Sequence, residues 1–244
     1  MNGRVVTATA RRILLQLRGD HRTLALLLVL PCVLLSLLAW VFHGVPGTFD
    51  RIGPALLAIF PLTTMFVVTS VATLRERTSG TLERLLTLPV GKLNVLLGYA
   101  LAFGLVALAQ TALVCALALG PLGLDVAGST AWVVLVALLS ALLGNTLGLL
   151  GSAFATTEFQ AVQLLQAFVI PQLLVCGLFL PRPQMPRPLQ LASNVLPLTY
   201  VVDAMQQAVA IGGSGRARVD LAVIGACIVT AVVLGAVTLR RRTA

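Results

Sequence analysis

Six long apolar runs divide the chain, over residues 24–42, 54–74, 93–119, 131–154, 162–180 and 221–239. Each is near or above the ~20 residues a helix needs to cross bilayer hydrocarbon. The pattern predicts an all-α membrane protein, one domain over 1–244, with six transmembrane helices. Pro31, Pro61 and Pro171 fall inside three of the runs. Proline there bends a helix and frees carbonyls that neighbouring helices must satisfy.

Residues 1–22 are too polar to span. At 100° per residue Arg4, Arg11, Arg18 and Arg22 lie within about 40° of one another, with Val6, Ala10, Ile13, Leu14 and Leu17 on the other side. This predicts an amphipathic helix, either lying in the membrane interface or docked on protein. Two connections do not read as simple loops. Residues 75–92 carry mixed charge and a short helical pattern of their own. Residues 181–220 are too apolar for a solvated loop, since Leu189, Leu191, Val195, Leu196, Leu198 and Val201 recur between prolines. Broken apolar segments of that length tend to be re-entrant or interfacial.

Composition agrees with the pattern. The 244 residues are 58% hydrophobic and 10% charged, with a mean hydropathy of +1.00, whereas soluble domains are about 25% charged. The net charge of +9 would suggest nucleic acid in a soluble protein. Here the arginines flank apolar runs and read as topology signals and lipid-headgroup contacts, so no nucleic-acid partner is expected. With the N-terminus in the cytoplasm, Arg4, Arg11, Arg12, Arg18, Arg22, Arg75, Arg77, Arg84, Lys92, Arg240, Arg241 and Arg242 lie inside. Arg51, Arg182, Arg187, Arg216 and Arg218 lie outside. The imbalance places both termini in the cytoplasm. The first run is expected to stay as helix one, because it is long enough to span and lacks a small-residue cleavage site. The four cysteines, one in each of four runs and without CxxC spacing, read as small buried hydrophobes, not a disulfide framework or zinc site. The two three-helix halves do not match in helix length or polar residues, which weakens an inverted-repeat carrier.

In RERTSGTLERLLTLPVGK, residues 75–92, Leu82, Leu85, Leu86 and Pro89 share one face of a short helix, while Glu83, Arg84 and Thr87 face elsewhere. Ser79 is placed to cap its start, and Pro89 with Gly91 to end it. A lever docking on a partner and a solvated hairpin fit this pattern equally well. The run from Glu76 through Gly80, Thr81, Glu83, Leu86 and Pro89 to Lys92 resembles the signature after the second helix of ABC-2 type transporter permeases, which include daunorubicin-type drug-resistance permeases. The segment CGLFLPRPQMPRPLQLASNVLPLTYVVDAMQQ, residues 176–207, is similar to the Gly-Phe-Pro, Met-Pro and Pro-Leu-Thr-Tyr segment of the same family. The two matches stand three helices apart, and the layout covers essentially the whole chain.

The resemblance implies a type V exporter-like fold, with an N-terminal elbow helix, a cytoplasmic coupling helix and extracellular re-entrant helices. It implies two ATP-binding cassette ATPase subunits as partners, which bind ATP and Mg, and a second permease, identical or paralogous, completing a dimer. The expected setting is a bacterial plasma (inner) membrane and the expected activity is export of a drug, antibiotic or lipid, as in multidrug efflux and antibiotic resistance. Carried over, Glu76, Gly80, Thr81, Glu83, Arg84 and Pro89 belong to an ATPase-coupling region. Pro186, Pro197, Leu198, Tyr200 and Asp203 belong to an extracellular gate. Gln206 and Gln207 depart from the pattern, because many relatives carry Arg after the Asp-Ala step and could pair it with an acid.

An ATP-binding P-loop needs GxxxxGK followed by Ser or Thr. The only lysine, Lys92, follows Gly91 but precedes Leu93, and Leu86 occupies the first glycine position. The chain is therefore read as a transport subunit that binds no cofactor itself, not an enzyme. Within the spans, Phe66, Phe103, Gln110, Asn145, Gln163, Gln166 and Phe168 are candidates to line a substrate path. For any one of the polar residues the alternative is an interhelical hydrogen bond, worth about 0.6 kcal/mol on average. Ser140, Gly144, Gly148 and Ser152 recur every four residues and allow close helix approach. An ion-coupled carrier has few intramembrane charges to use, although a passive channel fits. A membrane-embedded enzyme lacks HExxH or an aspartate pair.

Overall fold

The computed structural model describes residues 3–45, 47–80, 91–210 and 214–238. Helix α1 (Gly3–Gly19) is joined by Asp20 to α2 (His21–Val41), followed by α3 (Thr48–Thr78), α4 (Lys92–Leu119), α5 (Thr130–Gly151) and α6 (Glu158–Val175). A 3₁₀ turn (Arg182–Gln184), α7 (Arg187–Ser193) and α8 (Pro197–Val209) precede the last long helix, α9 (Ser214–Thr238). Among the described residues, α2, α3, α4, α5, α6 and α9 are the six helices long and apolar enough to cross a membrane.

The bundle is organised around α3 and α5. Ser140 donates to the Ala58 carbonyl at 2.7 Å. A Cβ on Gly144 would overlap the backbone of Leu62, reaching 2.8 Å from its Cα, and one on Gly148 would come within 3.1 Å of the Phe66 Cα. The contacts advance together along both helices, so α3 and α5 run parallel. The small-residue stripe is thus used inside the chain: removing side-chain volume lets two backbones touch, which replaces the hydrophobic drive that lipid cannot supply. Asn145 reinforces the seam, accepting from Thr69 of α3 at 3.2 Å and donating to the Ala100 carbonyl of α4 at 3.1 Å.

Pro31 behaves as its chemistry demands. It lies inside α2 and cannot donate to Leu27. That carbonyl instead accepts from Gln110 Nε2 of α4 at 3.0 Å, so a buried polar side chain repairs the interrupted ladder.

Several element ends differ from the apolar runs. Helix α3 starts before residue 54 and continues through Arg75, Glu76 and Arg77 to Thr78, because those charged side chains find partners at the bundle end. Ser79 is the C-cap residue of α3, with its hydroxyl 3.2 Å from the Glu76 carbonyl; the short helix it was expected to start lies outside the described residues. Gly80 follows at φ +71°, a left-handed conformation that glycine adopts without a Cβ penalty. Glu158 opens α6, ahead of the run predicted over 162–180, and Thr157 caps it by accepting from the Gln160 N–H at 3.2 Å. Helix α6 ends at Val175, not near 180, and Gly177 at φ +95° redirects the chain. Thr81, Glu83, Arg84 and Pro89 lie outside the described residues, as does the rest of 81–90.

Candidate functional site

Residues with candidate chemistry gather at the two ends of the bundle. At the α1 end, three successive residues in the last turns of α3 hold four other helices. Arg75 makes a bidentate pair with Glu158 of α6, at 2.6 and 3.0 Å. Glu76 accepts from Arg12 of α1 at 2.6 Å and from the Tyr99 hydroxyl of α4, while the same Arg12 nitrogen lies 2.9 Å from that hydroxyl. Arg77 donates to the Ser152 carbonyl just past α5. A glutamate so near a helix C-terminus opposes the helix dipole, and Arg12 offsets that cost. Burial works against the Arg12 charge, yet the hydrogen bond to Glu76, with Tyr99 beside it, leaves its pKa raised.

Helix α1 reaches this cluster because its Thr9 and Val6 cross α4 at Gly98. A Cβ there would lie 2.6 Å from Thr9 Cβ. Ala10, Ile13 and Leu17 are buried in the same core as Leu27, Met65, Tyr99 and Phe103. The apolar side of the amphipathic pattern thus docks on protein, and Arg12, next to Arg11 of the arginine row, pairs with Glu76.

Beside the cluster runs a cavity of about 720 Å³ between α1, α2 and α3. Leu27, Leu30, Leu34, Phe60, Val67 and Val71 form its apolar walls, and Asp20, Thr23, Arg75 and Glu76 its polar end. Its size lies within the range of drug-sized ligand sites. The Asp20 side chain accepts from the Thr23 backbone and hydroxyl, at 3.1 and 2.6 Å, and these bonds hold its carboxyl below the usual range.

At the opposite end Arg182 organises the segment after α6. Its guanidinium pairs with Asp203 of α8 at 2.6 Å, donates to Ser193 at 3.2 Å, and also donates to Asn194. Its stem lies over Gly177, where a Cβ would stand 3.5 Å from Arg182 Cγ. Tyr200 donates to the Asn194 carbonyl at 2.6 Å. Pro197 begins α8, leaving the Leu198 N–H without a helical acceptor, and Gln172 of α6 accepts it at 3.2 Å. At the other end of α8, Val209 and Ala208 carbonyls accept from Gly128 and Ser129 at 2.7 and 3.2 Å. Asp50, Arg51, Arg182, Asn194, Asp203 and Gln206 border a cavity of about 810 Å³ here, with Pro54, Leu178 and Val209 among its apolar walls.

A family profile described as ABC-2 type transporter matches residues 4–209. The chain belongs to the ABC-2 type transporter family. It is 30% identical over 154 residues to the probable multidrug ABC transporter permease YbhR of Escherichia coli (strain K12), covering 63% of this chain and 42% of YbhR. It is 30% identical over 178 residues to the inner membrane transport permease YhhJ of the same organism, covering 72% and 45%. ABC transporter G family member 20 of Dictyostelium discoideum is 26% identical over 166 residues, covering 67% and 23%. The chain spans less than half the length of these relatives. As an ABC-2 chain with six such helices, it is a multi-pass membrane protein.

Of the residues that the ABC-2 resemblance singled out, Glu76 lies in the cluster at the α1 end, paired with Arg12 and Tyr99, and Gly80 follows α3 there. Leu198, Tyr200 and Asp203 meet around Gln172, Asn194 and Arg182, with Pro197 opening α8 and Pro186 preceding α7. Of the seven candidates for a substrate path, Phe103 borders the cavity beside α1, Phe66 packs under Gly148 and Gly151, and Gln110 and Asn145 are buried in interhelical hydrogen bonds. Gln163, Gln166 and Phe168 stand exposed on α6. Arg12, Tyr99, Glu158 and Gln172 were missed as partners. The available signal was scarcity: a charge or tyrosine in so apolar a chain needs a partner.

Proposed function

We propose that this ABC-2 chain is the membrane-spanning permease subunit of an exporter. It moves an amphipathic or hydrophobic compound, such as a drug, antibiotic or lipid, outward across a bacterial plasma membrane. ATP and Mg are bound and ATP hydrolysed by separate cassette subunits. The observation that carries this reading is the double position of Glu76, which lines the apolar groove and also ties α3 to α1 and α4. A push delivered to residues 75–92 by a closing pair of ATPases would move the groove wall and its neighbours together. In this reading Thr81, Glu83, Arg84 and Pro89 contact the ATPase. Helix α1 is the elbow, α7 and α8 are the re-entrant helices, and both termini face the cytoplasm. The exposed Gln163, Gln166 and Phe168 of α6 support a second permease opposite that face, since uncovered amides are costly in lipid. The names of YbhR and YhhJ support transport across an inner membrane.

The test is purification after mild detergent extraction, then reconstitution into vesicles with a fluorescent amphiphile. The expected result is a co-purifying ATPase and export that requires ATP and Mg. Reversing the charges of Glu83 and Arg84 should leave insertion intact and reduce both transport and substrate-stimulated hydrolysis. Transport driven by an ion gradient without ATP would overturn the reading.

A further inference from the structure

The outward face of α1 carries a row of arginines, with Asp20 the nearby carboxylate that feels the Arg22 charge. Arg4, Arg11 and Arg18 are exposed and spaced seven residues apart, which sets them about 10.5 Å apart along the helix at ~1.5 Å per residue. Arg22, in the first turn of α2, is exposed as well. Among the described residues no carboxylate forms an ion pair with any of the four. Leu15 is 58% exposed and falls within the arginine row, at 100° per residue within about 60° of all three on α1. The helix needs none of these side chains for docking, because Ala10, Ile13 and Leu17 fill the protein contact and Arg12 makes the polar one.

We propose that this face is a docking surface for the headgroups of anionic phospholipids. A row of guanidiniums presents forked donors to phosphate oxygens, and a membrane-surface arginine gains on the order of fivefold in affinity from anionic lipid. Asp20 alone separates α1 from the first candidate span, so Arg18 and Arg22 stand at the level where that span enters the headgroup layer. Leu15 favours lipid over an aqueous polyanion, since one large apolar side chain amid the arginines gains by insertion at the acyl boundary. Neither transport nor an ATPase is required for this surface, and it stands whether or not the proposed function does.

The experiment is native mass spectrometry of the purified full chain, titrated with phosphatidylglycerol or phosphatidylcholine of identical acyl chains. The parent is expected to retain phosphatidylglycerol with at least a roughly tenfold preference. The variant R4Q/R11Q/R18Q/R22Q should fall to less than about twofold preference, whereas R51Q/R218Q, at the opposite end, should keep the parental value. Leu15→Gln should weaken retention of both lipids and preserve the ratio. If the quadruple variant proves unstable, R11Q/R18Q should lose about half of the preference in logarithmic terms. A quadruple or double variant with the parental preference overturns the proposal. So does one that keeps it while losing a bound ATPase, which would make the face a protein interface.

Discussion

Replacing Arg182 with Ala removes the tie between the segment after α6 and α8. It leaves Asp203, about four-fifths buried, with no described basic partner and deprives Ser193 and Asn194 of a donor. Exposed pairs are worth 0–1 kcal/mol and removing one member of a buried pair costs about 3–5 kcal/mol. With 22% and 21% of the two side chains accessible, a cost of about 1–3 kcal/mol for opening this end follows. Cys176 supplies the readout. It is fully buried, burial pushes its thiol pKa up, and it adjoins the Gly177 turn beneath the Arg182 stem. In a chain where Cys32, Cys115 and Cys227 are replaced by alanine, the rate at which a maleimide labels Cys176 reports how often this end opens. The expected acceleration for Arg182→Ala is about 5- to 150-fold, the stated cost converted at 1.4 kcal/mol per decade. Asp203→Ala should accelerate labelling similarly, and the double variant should add little to either. An unchanged rate in Arg182→Ala, or energies that add within about 0.3 kcal/mol, would refute the tie.

Gly144→Ala places a methyl against the backbone of Leu62 and should destabilise the folded chain by about 1–3 kcal/mol or more. Gly104→Ala, whose Cβ would meet only a leucine methyl at 3.4 Å, should be tolerated; thermal unfolding in detergent compares the two. Glu76→Gln keeps the shape but removes the charge facing Arg12 and Tyr99. It should loosen α1, seen as faster proteolysis after Arg4 or Arg11, and Arg12→Gln should partly restore protection by removing the stranded cation. The Asp20 carboxyl titrates below its ordinary value because Thr23 hydrogen-bonds its charged form. Its contribution is therefore present above the unfolded value and lost as pH falls through the lower folded one. Circular dichroism melts should show that acid loss in the parent and a smaller one in Asp20→Asn.

The hydrophobic pattern determined the number of spans because the bilayer imposes it: an apolar run long enough to cross has few other stable states. The prolines and the every-fourth small residue likewise announced broken ladders and close contact, since those are local properties of the chain. The two motifs located the ends of the bundle where polar groups converge. Which groups meet there belonged to the tertiary structure. Nothing in RERT says that Arg75 reaches Glu158, that Glu76 reaches Arg12, or that Arg77 reaches Ser152. Those partners are 75–83 and 64 residues away in sequence, and helix packing brings them within hydrogen-bond range. Nor does the sequence say that Arg182 reaches Asp203, 21 residues on, or that Gln207, where the chain departs from the family pattern, donates to Asp220, 13 residues on, at 2.8 Å. Glutamines 110 and 163 read alike as polar residues in spans, yet one repairs the Pro31 break and the other faces outward. Hydrophobicity assigns a residue to a helix; only packing against neighbouring helices decides which side of that helix is inside.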